Sequence, residues 1–360
     1  MSYKQLSLVL KIGCFIGHTP SPAQIEKRTR RWRIYHIVLF ALLTFGLVKS
    51  LSNKRFYTNF NYIKMVIGLL SDLSIYSISF YSMVVMNLSK KRSWERLLKS
   101  LNSTSHLIQS NQNSTVPSNF IIIFLSLLHL ATSSCVLYIL CKNNIGFYLS
   151  RNFITNVQVY LKSFHKLLFY VIANMILSRY RSLRNLLLDH VKATNKQTLQ
   201  LGFIKRVEYT MRLLKETVDI CNSMFAWPNF FVISASVLMV LNFIDYILFR
   251  NNLINLYETV FISFIFLSWN LFGTIVLIWK YDSVLQEADN IVGLSHDLRW
   301  SFEGRALEEL KLEEFSNFLV KNLPTFSAAG MFDIDRRTIL KVIKAIVTFL
   351  IVAIEFGIKE

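Results

Sequence analysis

Residues 338–356 read TILKVIKAIVTFLIVAIEF, an apolar stretch of membrane length that carries Lys341 and Lys344 at one end and Glu355 at the other. A charge inside such a segment is costly unless it faces water or a partner. The stretch therefore reads as a membrane helix that looks onto an aqueous path. The rest of the chain supplies its neighbours.

Hydrophobic residues make up 53% of the 360, mean hydropathy is +0.39, and 29 residues are Phe. Soluble domains sit nearer 45–50% apolar and lack such clustering. In lipid only helices or closed barrels satisfy the backbone, and the apolar runs here are continuous rather than alternating, which selects helices. Runs of about 18 or more mostly apolar residues predict seven spans: 34–51, 62–87, 120–141, 153–178, 229–250, 256–279 and 338–356. The fourth is interrupted by Lys162, His165 and Lys166. No proline is expected inside a span.

The formal charge of +18 is distributed by loop. Segments 1–33, 88–119, 179–228 and 280–337 hold 28 Lys and Arg, whereas 52–61, 142–152, 251–255 and 357–360 hold 5. That bias puts the N-terminus in the cytosol and, with seven spans, the C-terminus outside. It also removes nucleic acid as a partner. Three glycosylation sequons, at Asn87, Asn102 and Asn113, begin in or beside a loop placed inside, and are read as unused. The Ser/Asn-rich patch 102–119 reads as a flexible loop. Leu6 to Ile16 is apolar but short, and is expected to lie flat on the inner membrane face. Segment 303–318 is an acidic amphipathic helix with Leu307, Leu310, Leu312 and Phe315 opposite its glutamates. The helix formers of 179–228 predict that spans four to six extend below the membrane as a cytosolic bundle. The whole chain reads as a single domain, residues 1–360.

No catalytic constellation is present: no Gly-rich phosphate loop, no His-Glu-x-x-His, no Gly-x-Ser-x-Gly. Neither a metal site nor a cofactor is expected. Cys14, Cys135, Cys141 and Cys221 have neither metal spacing nor a disulfide pattern.

The last span resembles the ending of the insect gustatory receptor family, which closes on Thr-Tyr, five hydrophobic residues and Gln-Phe. Here Thr348-Phe349 is followed by Leu350 to Ile354 and then Glu355-Phe356, with identical spacing and two departures, Phe349 for Tyr and Glu355 for Gln. The run Phe326 to Asp335 is similar to the family's lead-in, where Gly-aromatic-x-x-Asp recurs. The resemblance implies a tastant-gated non-selective cation channel in the plasma membrane of a sensory neuron. It also implies a homo- or hetero-tetramer with other gustatory receptor subunits, lined by the final helix of each and contacting membrane lipid. Leu350 after Phe349 lacks the acid of the sugar-responsive branch, so bitter or aversive ligands are preferred. An odorant receptor subunit of the same superfamily, or a small-molecule transporter, are the alternatives.

The pore and gate candidates are Thr348, Ile351, Val352, Glu355 and Phe356. Four copies of Glu355 would form a carboxylate ring that attracts cations, and Phe356 could close the path by dewetting. The plain alternatives are Glu355 in interfacial water and Thr348 bonding its own backbone. Lys341 and Lys344 either snorkel to headgroups or face an inner vestibule. Asp72 and Lys162 fall at a matched depth of about 14 Å. Together with His165 and Lys166 they read as the polar wall of a tastant pocket, as a buried ion pair, or as lysines in water above a span that begins later. Asp245, Tyr246, Trp269 and Asn270 could line the same cavity. Asp333 and Asp335 read as helix caps before the last span.

Overall fold

The computed structural model describes residues 3–17, 19–20, 30–52, 62–107, 145–193, 201–248, 256–302 and 305–357. The expected third span at 120–141, the sequon at Asn113, Cys135 and Cys141 lie outside the described residues.

Nine α-helices form among them. They are α1 (Tyr3–Ile16), α2 (Arg30–Ser52), α3 (Tyr62–Phe80), α4 (Lys91–Leu107), α5 (Ile145–Ala193), α6 (Leu201–Leu248), α7 (Leu256–Trp300), α8 (Ala306–Lys321) and α9 (Arg336–Gly357). α3 runs on as a π-helical turn, Tyr81–Ser89, before α4. Helices α5, α6 and α7 have 49, 48 and 45 residues. At 1.5 Å per residue each is about 70 Å long, more than twice the ~30 Å of a hydrocarbon core. The expected extension of spans four to six is thus present as helix length. α5 begins at Ile145, eight residues before the expected start of span four.

One contiguous core joins the lower halves of the long helices. Phe169, Ile176 and Tyr180 of α5 meet Val207, Leu214 and Phe225 of α6 and Val284, Ile291 and Leu298 of α7. α4 adds Trp94, Leu97 and Leu101, and α8 adds Leu312, Phe315 and Leu319. These spacings of three, four, seven and eleven residues put each set on one helix face, which is why the elements pack as a bundle. Trp94 meets Phe225 edge-on at 5.5 Å, and Phe225 meets Phe169 at 4.6 Å. Arg181 and Arg184 of α5 clasp Glu287 of α7 at 2.9 and 2.8 Å.

Several local expectations are corrected. α1 does not present its apolar face to a membrane surface: Leu6, Val9 and Leu10 are buried in the same core as Phe164 and Leu168 of α5. α4 continues through Asn102 to Leu107, so the start of the Ser/Asn-rich patch is helix; its buried apolar stripe outweighs the poor propensity of Asn and Ser. Asn87 donates from Nδ2 to the Gly17 carbonyl at 2.6 Å, which ties up the nitrogen a glycan would need. Leu307 and Leu310 of α8 are exposed, because the packed face runs through Leu312, Phe315, Ser316 and Leu319 instead.

Pro228 lies inside α6, where it cannot give an N–H to the Met224 carbonyl. Outside partners meet the helix at this place. A hairpin of β1 (Ser327–Ala328) and β2 (Phe332–Asp333) docks there, with Ala329 N–H donating to the Ala226 carbonyl at 3.0 Å. Asn222 brackets the same strand: its Nδ2 donates to Thr325 O at 2.5 Å and its Oδ1 accepts from Ser327 N–H at 3.2 Å. The turn places Ala329 at φ 54° and Gly330 at φ 73°, and the Ala329 strain, of order 1 kcal/mol or more, is held by that bond to α6.

By length and hydropathy, two stretches among the described residues are apolar enough to cross a membrane on their own, Met65–Asn87 and Leu201–Ile244.

Candidate functional site

The hairpin ends at the start of α9 and fixes it. Asp335 caps the helix: its Oδ1 accepts from Thr338 N–H at 3.1 Å, while Thr338 Oγ1 accepts from Asp335 N–H at 3.3 Å. This reciprocal arrangement satisfies two otherwise orphaned donors. Thr338 Oγ1 also donates to the Asp333 carbonyl at 3.0 Å. The capping expected of Asp335 is therefore observed, and Asp333 contributes through its backbone. A second carboxylate comes from α7: Asp282 accepts from Arg336 N–H at 3.1 Å and from Arg336 Nε at 2.9 Å. Sequence reading missed Asp282; an acid in a helix of mixed polarity carries no signal of which terminus it will meet.

From that anchor α9 leans on α6 and α7, with Ile339 and Val342 packed against the core. Much of the remaining surface is exposed. Leu340 is 67% exposed and Ile351 53%, and Ile343, Val347 and Val352 are exposed too. Thr348, Glu355, Lys341 and Lys344 share the exposed surface. Thus four of the five pore and gate candidates, Thr348, Ile351, Val352 and Glu355, lie on a surface that this chain leaves uncovered. The side chain of Phe356 lies outside the described residues.

The second constellation is deeply enclosed. Lys162 is 0% exposed, His165 0% and Lys166 6%. The reading that placed the lysines in water is corrected: α5 begins well before them, and protein surrounds them. Lys162 Nζ donates to Met239 Sδ of α6 at 3.3 Å, and Lys166 Nζ to the Asn270 carbonyl of α7 at 2.6 Å. Gly273, one turn on from Asn270, faces Lys166: a Cβ there would stand 3.5 Å from Lys166 Cδ, an ordinary van der Waals contact. His165 Nδ1 lies 3.3 Å from Ser82 Oγ on the π-helical turn, and its ring meets Phe169 at 4.2 Å. Lys162, His165, Lys166 and Asn270 are therefore brought together. Asp72 is half-buried on α3 and Trp269 half-buried on α7. Asp72 is not the counter-ion of Lys162: among the described residues the Lys162 ammonium meets only the Met239 sulfur. Matched depth did not determine facing. Asp245 and Tyr246 belong to α6, with side chains outside the described residues. Ser236 and Thr274 bond each other at 2.8 Å beside this cluster, a buried polar contact that nothing in the sequence pattern marked.

Nearer the hairpin, a cleft of about 260 Å³, including its open mouth, is lined by Phe169, Ile172, Cys221, Phe225, Tyr281 and Phe326, among others. Tyr281 stacks on Phe326 at 4.3 Å and donates to Asn229 Oδ1 at 3.3 Å. Burial drives the Tyr281 phenol and the Cys221 thiol upward, so both stay protonated. Cys14 and Cys221 are free and buried. Among the described residues no cluster of His, Cys, Asp or Glu could hold a metal.

The chain is similar in fold to solved structures of the insect olfactory receptor OR5 from Machilis hrabei. One, in complex with eugenol, superposes with a TM-score of 0.66 at 12% identity, covering 98% of this chain and 97% of that one. Another of the same receptor gives 0.65 at 12% identity, covering 97% and 96%. No curated protein matches by sequence. A family profile described as 7tm Chemosensory receptor matches residues 6–360. Members of the insect chemoreceptor family are multi-pass membrane proteins and ligand-gated channels, not enzymes. A match that spans nearly every residue makes the assignment plain: the chain belongs to the 7tm chemosensory receptor family.

Proposed function

We propose that this protein is a gustatory receptor subunit that forms a tastant-gated, non-selective cation channel in the plasma membrane of taste neurons. Seven helices span the membrane, with the N-terminus in the cytosol, the C-terminus outside and the lower halves of α5, α6 and α7 forming the cytosolic bundle. Four subunits surround one pore lined by α9. Glu355 supplies a ring of carboxylates near the outer end, Thr348, Ile351 and Val352 line the path, and Phe356 closes it. Tastant binds among the upper halves of α3, α5, α6 and α7, beside Asp72, Lys162, His165, Lys166, Trp269 and Asn270. Aversive compounds are the ligand class.

The observation that carries this reading is the uncovered face of α9. A helix that shows Leu340, Ile343, Val347 and Ile351 on one side, with Thr348 and Glu355 beside them, is unfinished as a monomer. Further copies of the chain would cover the apolar residues and leave the polar ones around an axis. At 12% identity the olfactory likeness is one of fold. Taste rather than odour rests on the ending Thr348-Phe349 to Glu355-Phe356.

The test is Glu355→Gln, recorded in cells expressing the full chain with partner subunits. The expected outcome is a lower permeability of divalent relative to monovalent cations and a shifted reversal potential. Unchanged reversal potentials in both ionic conditions would remove Glu355 from the pore.

A further inference from the structure

The upper face of α5 carries more hydrogen-bond donors than the described residues around it accept. Gln158, Lys162 and Lys166 are spaced four apart, so they form a ladder along one side of the helix, about 6 Å per step. All three are buried, at 4%, 0% and 6% exposure. Each ammonium has three N–H donors and the Gln158 amide two. The acceptors they meet among the described residues are one thioether, Met239 Sδ, and one backbone carbonyl, Asn270 O. That carbonyl is already shared with Thr274 Oγ1 at 3.1 Å. Gln158 Nε2 has no acceptor among the described residues. Neither lysine meets a carboxylate there.

Buried cations without a counter-ion are expensive, and protein interiors normally pair them. Met239 is the most easily displaced partner Lys162 could have. A thioether is a weak acceptor, and an unbranched Met side chain has three rotatable bonds by which to swing aside. Next to the ladder lies an apolar wall, in which Ile75 of α3, Val159 of α5 and Ala235 of α6 form a small cluster with Met239 against it. Surplus donors and positive charge beside an apolar wall describe the complement of an amphipathic anion.

We propose that the ligand of this site is a small organic monocarboxylate. Its acid group is held by Gln158, Lys162 and Lys166, and its apolar body lies against Ile75, Val159 and Met239. This rests on the pocket reading above and narrows it from tastants in general to acids. A carboxylate supplies four lone-pair positions, enough to take Lys162, Lys166 and Gln158 together. A neutral amide or alcohol of the same skeleton brings fewer acceptors and no charge, and leaves the two ammoniums uncompensated.

The experiment uses purified full-length protein in lipid nanodiscs at neutral pH, with the thermal unfolding midpoint as readout. The probes are benzoate, phenylacetate, butyrate and hexanoate, each beside its own primary amide. At least one acid is expected to protect the protein at a concentration about tenfold or more below that of its amide, the scale of one charge-assisted bond. Lys162→Met is expected to abolish that preference while leaving the amide's effect in place. The variant removes an unpaired buried charge, so its own midpoint should not fall, which separates lost binding from lost folding. Gln158→Leu, which removes the amide and keeps the bulk, should weaken the acid in the same direction.

Equal protection by acid and amide, or an acid preference that survives Lys162→Met, overturns the assignment of an anion. The same holds if no acid in the panel protects. The pocket reading is judged apart, by agonist dose–response currents of Asp72→Asn and Trp269→Ala. Altered potency there with no acid preference would keep the pocket and discard the anion.

Discussion

Asp282→Ala cuts the tie between α7 and the start of α9. The Asp282 side chain is 11% exposed and its carboxylate accepts three bonds: Arg336 N–H at 3.1 Å, Arg336 Nε at 2.9 Å and Gln286 Nε2 at 3.0 Å. The Arg336 side chain is 59% exposed, so water takes over much of what the guanidinium loses, and that half of the pair contributes only about 0.5–1 kcal/mol. The backbone N–H is different. It is one of the first donors of α9, and losing its acceptor resembles losing a helix cap, about 1 kcal/mol. Gln286 lies on an exposed edge of α7 and rehydrates. The total is about 2 kcal/mol, which for a chain of this size lowers the unfolding midpoint by about 2–3 °C. Arg336→Gln should cost about half as much, because its backbone N–H still finds Asp282. The double variant should then be less destabilised than the two singles added together, by about 0.5–1 kcal/mol. The assay is the thermal midpoint of purified full-length protein for the four members of the cycle. Should Asp282→Ala stay within 1 °C of the parent, or Arg336→Gln cost as much as Asp282→Ala, the account of how α9 is anchored is wrong.

Trp94 is fully buried against Phe225, and its Nε1 has no acceptor among the described residues. Trp94→Phe therefore forfeits area but no hydrogen bond and should cost about 1–2 kcal/mol, against about 3–5 for Trp94→Ala; urea-dependent unfolding of the two variants checks the gap. Gly13→Ala would put a Cβ 2.6 Å from Thr19 Oγ1 and 3.1 Å from Phe164 Cε1, displacing the hydroxyl that bonds Leu10 O at 2.8 Å. It should destabilise by about 1–3 kcal/mol, whereas Gly273→Ala, whose Cβ meets Lys166 only at 3.5 Å, should be tolerated; midpoints of the pair measured together decide it. His190 stacks on Phe203 at 3.8 Å, and burial lowers its pKa from 6.5. The folded protein then binds fewer protons here than the unfolded one, so this contribution is present above the unfolded value and lost as pH falls below it. Relative to His190→Phe, the parent should lose midpoint between about pH 7.5 and pH 5.5; a pH-independent difference would remove the effect.

Charge inside an apolar run pointed to the buried cluster on α5. Lys162, His165 and Lys166 stood out because such residues are rare in membrane segments. Gln158 did not stand out, since a single uncharged amide barely lowers the hydropathy of a span, yet its nitrogen is buried with no acceptor among the described residues. The ion-pair alternative for Asp72 and Lys162 fails for a geometric reason. Rise per residue fixes depth to within an ångström or two, but a helix presents all directions at any depth. Facing follows from packing, which the sequence of one chain does not write down. Pro228 shows the same limit from another side. Propensity places it at a boundary, and the helix nonetheless continues; the hairpin at 327–333, a hundred residues away in sequence, docks on the same stretch through Asn222 and the Ala226 carbonyl. A two-strand hairpin has no hydropathy signature of its own, and Asp282 gives no local sign of the helix it will hold. Helix α9 is the converse. Its motif was readable while its surroundings were not, because under the proposed assembly the residues that would complete it are the same residues on other copies of the chain. A pattern such as Leu340, Ile343, Val347 and Ile351 looks like a core stripe in one dimension. Only the three-dimensional arrangement reveals that the described residues leave it exposed.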